Sequence, residues 1–244
     1  MRGMILAAGF GRRLRPLTEH TPKPLIRVGD HPLIAYPLAL LRAAGIREVV
    51  INLHHLGEQV RAALGDGGAY DMAIVYSEEA PILDTGGAIK KAQPFLENDR
   101  FVVLNCDAIC DVDVRAVVEW HAARGALATM VLRADRAAAR YGLIEIDAQS
   151  RIRRFLGTPS VIDEPLTPLM FTGVHVFEPA VFAYMQEGCF GINRITYPRM
   201  LAAGRPLYGY RFDGYWRVLD THAGLAEGRW ELSDGCALAP QHRP

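Results

Sequence analysis

Short apolar runs alternate with amphipathic segments through the first half of the chain. The apolar runs predict strands at residues 4–6, 48–53, 72–77, 101–105 and 126–132. The segments between them predict helices at residues 32–44, 57–64, 85–96 and 112–123. This alternation is typical of βαβ units, so we expect an α/β fold with a Rossmann-like, mostly parallel sheet flanked by helices.

The second half has a different pattern, with shorter strand-like pieces at residues 143–146, 152–155, 172–177 and 207–212. Amphipathic helices are predicted at residues 192–203 and 223–232. We expect this half to form a small lobe of mixed sheet. No Pro-, Ser- or Gly-rich tract separates the halves, so residues 1–232 are predicted to be a single domain, followed by a flexible tail at residues 233–244.

A glycine-bearing, basic loop follows the first predicted strand. Gly9 and Gly11 lack a Cβ, which lets backbone N–H groups converge on phosphate oxygens. Arg12 and Arg13 add planar guanidinium donors beside these glycines, and Lys23 adds a compact charge between two prolines. Isolated surface arginines usually only solvate a face, but their place beside the glycines favours a polyphosphate site.

Neither of two common phosphate-binding fingerprints fits this loop. The dinucleotide fingerprint needs a third glycine where this chain has Leu14, and the Gly-Lys-Ser/Thr of the Walker pattern is absent. A different phosphate-binding family is therefore indicated.

Composition narrows the ligand to a small molecule. The 27 Lys and Arg residues balance 27 Asp and Glu residues, which argues against a general nucleic-acid or membrane-surface binder. The N-terminal apolar run is too short for a secretory signal or a membrane span, so a cytoplasmic location is expected. The 4 cysteines are too scattered for a disulfide framework, and reduced thiols are expected.

The basic loop is part of a longer pattern. Residues 6–18 read LAAGFGRRLRPLT, and residues 22–25 read PKPL. This pair resembles the signature of the sugar-1-phosphate nucleotidyltransferases, LAAGxGTRLxPLT followed by PKPL. Similar blocks follow in the same order: LDTGG at 83–87, LNCD at 104–107, YGLIE at 141–145, FTGV at 171–174 and GYW at 214–216.

The resemblance implies a fold of the nucleotide-diphospho-sugar transferase type, with the mixed lobe on the sugar side. It also implies a reaction, in which a nucleoside triphosphate and a sugar 1-phosphate give a nucleotide sugar and pyrophosphate with Mg²⁺. A sugar phosphate has a second pKa of about 6 and is mostly dianionic at neutral pH, so it can attack the α-phosphorus without a general base. Alignment and charge neutralisation then supply the catalysis.

The matching family positions imply catalytic roles for Arg13, Lys23 and Asp107. Arg13 would hold the outgoing β- and γ-phosphates, and Lys23 would neutralise the α-phosphate or the sugar phosphate. Asp107 follows a predicted strand, at the sheet edge where the basic loop is also expected. There it could ligate Mg²⁺ or cap the next helix, and the family motif favours the metal. Asp111 and Asp113 are expected to cap that helix.

The other expected contacts divide between nucleotide and sugar. Small residues let a base and ribose lie against the backbone, with Glu78 or Glu79 nearby, although Thr85 and Gly86 could equally begin a helix. The residues expected to bind the nucleotide are Leu6, Ala7, Ala8, Gly9, Gly11, Arg12, Arg13, Glu78, Thr85, Gly86, Gly87 and Asn105. The residues expected to bind the sugar are Gly142, Glu145, Thr172 and Gly173.

One departure from the family pattern affects the sugar phosphate. Residues 155–159 read FLGTP where many members have FxEKP, so Gly157 and Thr158 replace the glutamate and the phosphate lysine. Arg153 or Arg154 is a candidate substitute for that lysine.

Two further departures affect the metal site. An ungapped match places Val218 at the second metal carboxylate, whereas a gapped match places Asp220 there. Because valine cannot bind a metal ion, we expect Asp107 and Asp220 to hold Mg²⁺. Cys106 replaces the usual glycine before Asp107.

Two other functions stay open. A nucleotide-sugar-binding regulatory subunit would keep the pocket without turnover, and a metal-dependent glycosyltransferase is favoured only by the DxD-like pair Asp111 and Asp113. The base and sugar are also open among GTP with mannose 1-phosphate, UTP with N-acetylmuramate 1-phosphate, and UTP or dTTP with glucose 1-phosphate. The later sequence blocks favour mannose or a related hexose. Assembly into a homo-oligomer is a further open expectation.

Overall fold

The computed structural model describes residues 1–135, 138, 142–159, 162–233 and 244. The chain divides into two compact units. The first unit comprises residues 1–82, 103–115 and 214–244, and the second comprises residues 83–102 and 116–213. A single domain over residues 1–232 stays a prediction, and residues 234–243 of the predicted tail lie outside the described residues.

Strands and helices alternate through much of the described chain. The strands are β1 (Arg2–Leu6), β2 (Arg27–Val28), β3 (His31–Pro32), β4 (Glu48–Leu53), β5 (Ala73–Glu78), β6 (Phe101–Asn105), β7 (Ala108–Cys110), β8 (Ala128–Arg133), β9 (Ile144–Ile146), β10 (Ile152–Phe155), β11 (Thr167–Phe177), β12 (Leu207–Arg211) and β13 (Trp216–Val218). The helices are α1 (Leu17–His20), α2 (Ala35–Ala43), α3 (Gly57–Leu64), α4 (Asp84–Lys91), α5 (Gln93–Leu96), α6 (Val114–Ala123), α7 (Ile192–Ala202) and α8 (His222–Ser233). No described helix is long and apolar enough to cross a membrane.

The first unit is built on a parallel sheet. β1 pairs in parallel with β4, and β4 pairs in parallel with β5. Met4 and Ile5 of β1 are fully buried, as is typical of a strand covered on both faces. At the carboxyl end of β1, the Leu6 carbonyl accepts a hydrogen bond of 3.2 Å from the Cys106 N–H. The end of β1 therefore lies beside the segment that follows β6.

The second unit contains the mixed sheet that the shorter strand signals predicted. β11 pairs antiparallel with both β8 and β9, β9 pairs antiparallel with β10, and β8 pairs in parallel with β12. β11 begins at Thr167, earlier than the predicted residue 172, because its first residues pair with β9.

Several predicted helices differ from the structure. The helix predicted at 32–44 begins at Ala35, because His31–Pro32 form the strand β3. The helix predicted at 85–96 is divided into α4 and α5 at Ala92, because Pro94 lies in the first turn of α5 and has no N–H to continue the helical ladder. The helix predicted from residue 112 begins at Val114. Asp111 therefore lies before the first turn, where its N–H donates to the Tyr215 carbonyl at 3.2 Å.

Two buried histidines of the second unit belong to the core. His175 stacks on Phe177 and Tyr197 and shares a hydrogen bond with the Tyr197 hydroxyl. Burial lowers the pKa of His175 to about 3. Burial also lowers the pKa of His121 to about 4, with a further contribution from Arg100. Both rings are therefore neutral in the folded protein near neutral pH.

These lowered pKa values predict a loss of stability in acid. In the unfolded chain both histidines become protonated below their usual pKa of about 6.5. In the folded protein they stay neutral down to about pH 4. The unfolded state thus binds more protons in this window, so the free energy of unfolding falls as the pH falls from 6.5 towards 4. Urea unfolding at several pH values measures this slope. His175→Phe should reduce it, while His20→Gln, at an exposed position, should leave it unchanged; equal slopes in both variants would contradict the assignment.

Candidate active site

The basic loop after β1 is closed by a buried threonine. Gly11 has a φ of +62°, and the Thr18 hydroxyl donates to its carbonyl at 2.9 Å. A Cβ on Gly11 would lie 2.7 Å from the Thr18 methyl group, so glycine is required both by conformation and by space. Residues 12–14 form a 3₁₀ turn in which Leu14 is buried, while Arg12 and Arg13 are exposed. The turn anchors its apolar side chain and leaves both guanidinium groups at the surface.

The exposed Arg13 side chain contacts a buried carboxylate. Its Nη1 lies 2.5 Å from Oδ2 of Asp220, whose side chain is only 7% exposed compared with 62% for Arg13. The His222 ring, two residues later, makes a hydrogen bond of 2.9 Å with the Arg15 carbonyl. The segment at the start of α8 is thus joined to the basic loop by two contacts, the ion pair between Arg13 and Asp220 and the hydrogen bond between His222 and the Arg15 carbonyl.

A second cation–carboxylate pair joins Lys23 and Asp107. Lys23 Nζ lies 3.4 Å from Asp107 Oδ2, and the lysine side chain is 13% exposed. The adjacent Cys106 is buried, and burial raises the pKa of its thiol. Cys106 therefore fills the space before Asp107 as a neutral apolar group.

A two-stranded ribbon brings together the backbone segments that carry the two carboxylates. β7 and β13 pair antiparallel, with Val218 opposite Ala108. One step further, the Leu219 N–H donates to the Asp107 carbonyl at 2.8 Å, so Asp220 is the next residue after the one bonded to Asp107. Val218 is a paired residue within the ribbon. The gapped alignment, in which Asp220 takes the place of the second metal carboxylate, stays a prediction.

The two carboxylates, Asp107 and Asp220, suit a hard divalent cation. Mg²⁺ is usually bound through one or two carboxylates and completed by water and substrate phosphates. Within the described part of the chain, no three His, Cys, Asp or Glu side chains cluster as a metal site. Asp111 and Asp113 therefore do not complete a protein-only site, and a metal here would depend on substrate oxygens.

A buried polar chain supports the strand that precedes the loop. Asn52 accepts a hydrogen bond of 2.7 Å from the Ala7 N–H and donates one of 2.7 Å to Glu79 Oε1. Glu79 is 4% exposed. Glu78, by contrast, has a side chain 63% exposed and pairs with Arg61 at the surface. The structure therefore brings Glu79, and not Glu78, to the backbone of the predicted nucleoside pocket.

Asn52 was not predicted from the sequence, although it leaves a signal there. It is the polar residue in the otherwise apolar run Val49–Leu53 that forms most of β4. A buried amide needs partners for its donors and acceptor, so such a residue marks a specific polar contact.

The other residues predicted around the nucleotide in the first unit lie along the same edge. Ala7 and Ala8 are buried at the end of β1, and Asn105 ends β6. Arg12 lies over the Phe10 ring, with its guanidinium carbon 5.0 Å from the centroid. Gly9 is exposed, and a Cβ placed there would meet nothing within 4 Å. Leu6 is half-buried and, through its carbonyl, joins the segment after β6.

The residues of the second unit that are predicted to bind the nucleotide make hydrogen bonds with residues 190–192. The N–H groups of Gly86 and Gly87 donate to the Phe190 carbonyl at 2.9 and 3.1 Å. The Thr85 hydroxyl accepts a hydrogen bond of 3.1 Å from the Ile192 N–H at the start of α7. These contacts hold residues 190–192 against the first turns of α4.

The predicted sugar-side residues lie on β9, β11 and the turn before β9. Glu145 pairs with Arg154 across β9 and β10, with 2.5 Å between Oε2 and Nη1. Thr172 is buried and its hydroxyl donates to the Val131 carbonyl at 2.9 Å. Gly142 and Gly173 have φ values of +90° and +96°. Tyr141, the first residue of the YGLIE block, lies outside the described residues.

The two candidate substitutes for the missing lysine have different partners. Arg154 lies beside Glu145, the predicted sugar ligand, and also donates to the Pro159 carbonyl at 2.9 Å. Arg153 instead pairs with Asp147 at 3.5 Å and with Glu164 at 3.2 Å. Arg154 is therefore the arginine placed with a predicted sugar residue.

Comparison with known proteins identifies the family. A family model described as nucleotidyl transferase matches residues 2–233. The chain belongs to this family. The resemblance seen in its motifs is thereby confirmed.

The relatives of this chain differ in the substrates for which they are named. A UTP–glucose-1-phosphate uridylyltransferase of Synechocystis is 34% identical over 88% of this chain and 59% of its own length. A mannose-1-phosphate guanyltransferase of Candida albicans is 33% identical over 88% of this chain and 60% of its own. An N-acetylmuramate alpha-1-phosphate uridylyltransferase of Neisseria meningitidis is 38% identical over 94% of this chain and 97% of its own. The chain thus spans about three fifths of the first two relatives and almost all of the third.

A solved structure has the same fold. A UDP-glucose pyrophosphorylase complexed with UDP-glucose matches with a TM-score of 0.77 at 19% identity, over 96% of this chain and 98% of that one. The predicted fold class, a mostly parallel sheet flanked by helices, is therefore confirmed.

Gly87 is predicted to be intolerant of a side chain. A Cβ there would lie 2.2 Å from the Gly188 carbonyl oxygen, which is backbone and cannot swing aside. Gly87→Ala should therefore lower the free energy of unfolding by about 1–3 kcal/mol. Gly9→Ala, at an open position, serves as the control and should change it little. Denaturant midpoints of the two variants test this; equal midpoints would show that residues 188–190 adapt.

Glu79 and Glu78 are predicted to contribute differently to nucleotide binding. Glu79→Ala removes the partner of Asn52 and frees the amide that holds the Ala7 N–H, so the affinity for a nucleoside triphosphate should fall about tenfold. Glu78→Ala, at the exposed position, should change it less than about twofold. Calorimetric titration measures both, with unfolding curves to verify folding. Equal losses in the two variants would contradict a role specific to Glu79.

Proposed function

We propose that this chain transfers a nucleoside monophosphate from a nucleoside triphosphate to a sugar 1-phosphate, releasing pyrophosphate. One observation carries the proposal. The carboxylates of the ion pairs Arg13–Asp220 and Lys23–Asp107 are carried by two segments that are joined by the backbone hydrogen bond from the Leu219 N–H to the Asp107 carbonyl. Cations suited to phosphate and carboxylates suited to a metal thus occupy one end of the β7–β13 ribbon.

The paired charges suit a site that must accept a highly charged substrate. Without substrate, each cation is neutralised by a carboxylate, so no isolated buried charge is left. A triphosphate offers Arg13 and Lys23 alternative partners, and the freed carboxylates of Asp107 and Asp220 can then bind a metal. Arg13 holds the β- and γ-phosphates in this proposal, and Lys23 neutralises the α-phosphate or the sugar phosphate.

Mg²⁺ is the proposed cofactor, and Asp107 and Asp220 are its protein ligands. Both supply the hard oxygen that Mg²⁺ prefers, and substrate phosphates would supply further ligands. When bound, the ion would neutralise negative charge on the phosphate oxygens. The protein's own contribution is to fix the substrates in line, which can supply about 7–11 kcal/mol of the barrier reduction.

The remaining assignments concern the base and the sugar. Asn52 and Glu79 support the nucleoside pocket, and Gly142, Glu145, Thr172 and Gly173 are proposed for the sugar, with Arg154 in place of the missing lysine. The relatives are named for UTP with glucose 1-phosphate, for mannose 1-phosphate guanylyl transfer and for N-acetylmuramate 1-phosphate uridylyl transfer. UTP and GTP against these three sugar phosphates therefore form the first substrate panel.

A pyrophosphate-release assay on this panel tests the proposed reaction. Release that requires both the triphosphate and one sugar 1-phosphate is expected. Binding without release would instead support a regulatory subunit, and release of a nucleoside diphosphate from a nucleotide sugar would support a glycosyltransferase. Either outcome would overturn the proposal.

The two carboxylates at the ribbon are predicted to be needed for turnover. Asp107→Asn and Asp220→Asn keep the size of each side chain but remove its charge, so kcat/KM should fall on the order of 100-fold. Asp113→Asn, an exposed carboxylate just before α6, is the matched control and should retain activity. Near-normal turnover of Asp220→Asn would show that the second metal ligand lies elsewhere.

A further inference from the structure

A separate cavity lies in the second unit, between β10 and the C-terminal end of α7. Its volume is about 510 Å³, within the range of small-molecule sites. Phe155 of β10 lines it, together with Ile162 and Leu201. Thr158, at the family position of the missing phosphate lysine, and Arg153 also line it, but none of the residues predicted to bind the nucleotide, the sugar or the metal does.

The polar lining of this cavity is basic. Arg151, Arg153 and Arg205 line it, and no Asp or Glu is among its described lining residues. The charge of Arg153 is neutralised by ion pairs with Asp147 and Glu164. Within the described ranges, Arg205 has no carboxylate within ion-pair distance, and its guanidinium carbon lies 6.0 Å from the Tyr184 ring centroid. The charge of Arg205 is therefore available to a ligand.

Arg151 contacts the residue that precedes Arg205, and it keeps further N–H donors for a ligand. One of its N–H groups donates to the Gly204 carbonyl at 2.9 Å, which satisfies a carbonyl just past the end of α7. A guanidinium group has five N–H donors, so this capping contact uses only one of them. Because Gly204 precedes Arg205 in the chain, both arginines line the part of the cavity beside the C-terminal end of α7. The dipole of α7 is equivalent to only about half a negative charge at its C-terminal end. The positive charge of the two arginines therefore outweighs it.

The cavity lies on the opposite face of the β9–β10 hairpin from the predicted sugar ligands. Arg154 and Glu145 pair on one face, whereas the next residue, Phe155, points to the other face and into the cavity lining. Phe155 also stacks on Tyr197 of α7, with 5.1 Å between the ring centroids. The hairpin thus separates this cavity from Glu145 and Arg154.

We propose that this cavity binds a phosphate monoester with an apolar or ring-shaped body. Arg151 and Arg205 both line the cavity, and two guanidinium groups balance the charge of a phosphate monoester, which approaches about −2, better than the single charge of a carboxylate. The side chains of Ile162, Pro198 and Leu201 provide apolar walls for the organic part of the ligand. The binding is independent of the proposed transfer reaction.

Methyl NMR with phenyl phosphate as the probe tests this site. The Ile162 and Leu201 methyl signals, assigned with Ile162→Val and Leu201→Met, should shift saturably. Arg205→Gln should weaken the binding about tenfold, because it removes a charged donor from a side chain with no structural ion pair. Arg151→Gln should also weaken it. Arg194→Gln, an exposed arginine on α7 outside the cavity, is the matched control and should leave the affinity unchanged.

Further measurements test which chemical group is bound and whether the binding is independent of the basic loop in the first unit. Benzoate should bind less tightly than phenyl phosphate, and benzyl alcohol should produce no saturable shift. Arg13→Gln should leave the Ile162 and Leu201 responses intact, whatever it does to turnover. The proposal is overturned by the absence of a saturable shift, by equal affinity in Arg205→Gln, or by equal binding of benzoate.

Discussion

The charged groups of the first unit depend on one hydrophobic cluster beneath them. Leu14, Ile109 and Leu219 belong to this cluster, together with Ile26, Val28, Leu33, Tyr36 and Leu225. Leu14 follows Arg13 and Leu219 precedes Asp220, while Ile109 lies two residues beyond Asp107. Full burial of such a side chain contributes about 1.5–3 kcal/mol, far more than an exposed ion pair. Apolar packing therefore fixes the backbone from which the charges extend.

The ion pairs themselves are suited to exchange rather than to stability. Arg13 is largely exposed, and an ion pair with one exposed partner typically contributes about 0–1 kcal/mol. Such a pair is easily replaced when a phosphate offers the arginine a better partner. Asp220 is nearly buried, however, so its charge needs a partner in every state. The proposed metal would supply that partner when Arg13 turns to the substrate.

In the second unit, two glycines that are predicted to bind the nucleotide also allow close packing. Gly86 and Gly87 let residues 188–190 approach α4, since a Cβ on either would lie 2.2 Å from that segment. On the β9–β10 hairpin, alternation places Arg154 and Phe155 on opposite faces. One short hairpin thus carries the predicted sugar contacts on one side and the wall of the basic cavity on the other.

Local signals along the chain were enough to predict several elements and the family. The apolar runs of β4 and β6, the strand-like piece of β10 and the amphipathic segment of α3 predicted their observed bounds, and the glycine loop with its arginines indicated phosphate. Motif order identified the family, because its spacing is preserved along the chain. The sequence also indicated Asp220 as an alternative to Val218, but it left both alignments open.

Which distant side chains meet was decided by tertiary packing alone. The three-residue strands β7 and β13 are too short to show periodicity, yet their pairing joins the segments that carry Asp107 and Asp220. The choice of Glu79 over Glu78 depends on which side chain turns inward to Asn52, since both are glutamates in adjacent positions. The cavity between β10 and α7 is formed by segments about 40 residues apart, and long-range packing of this kind leaves no local pattern.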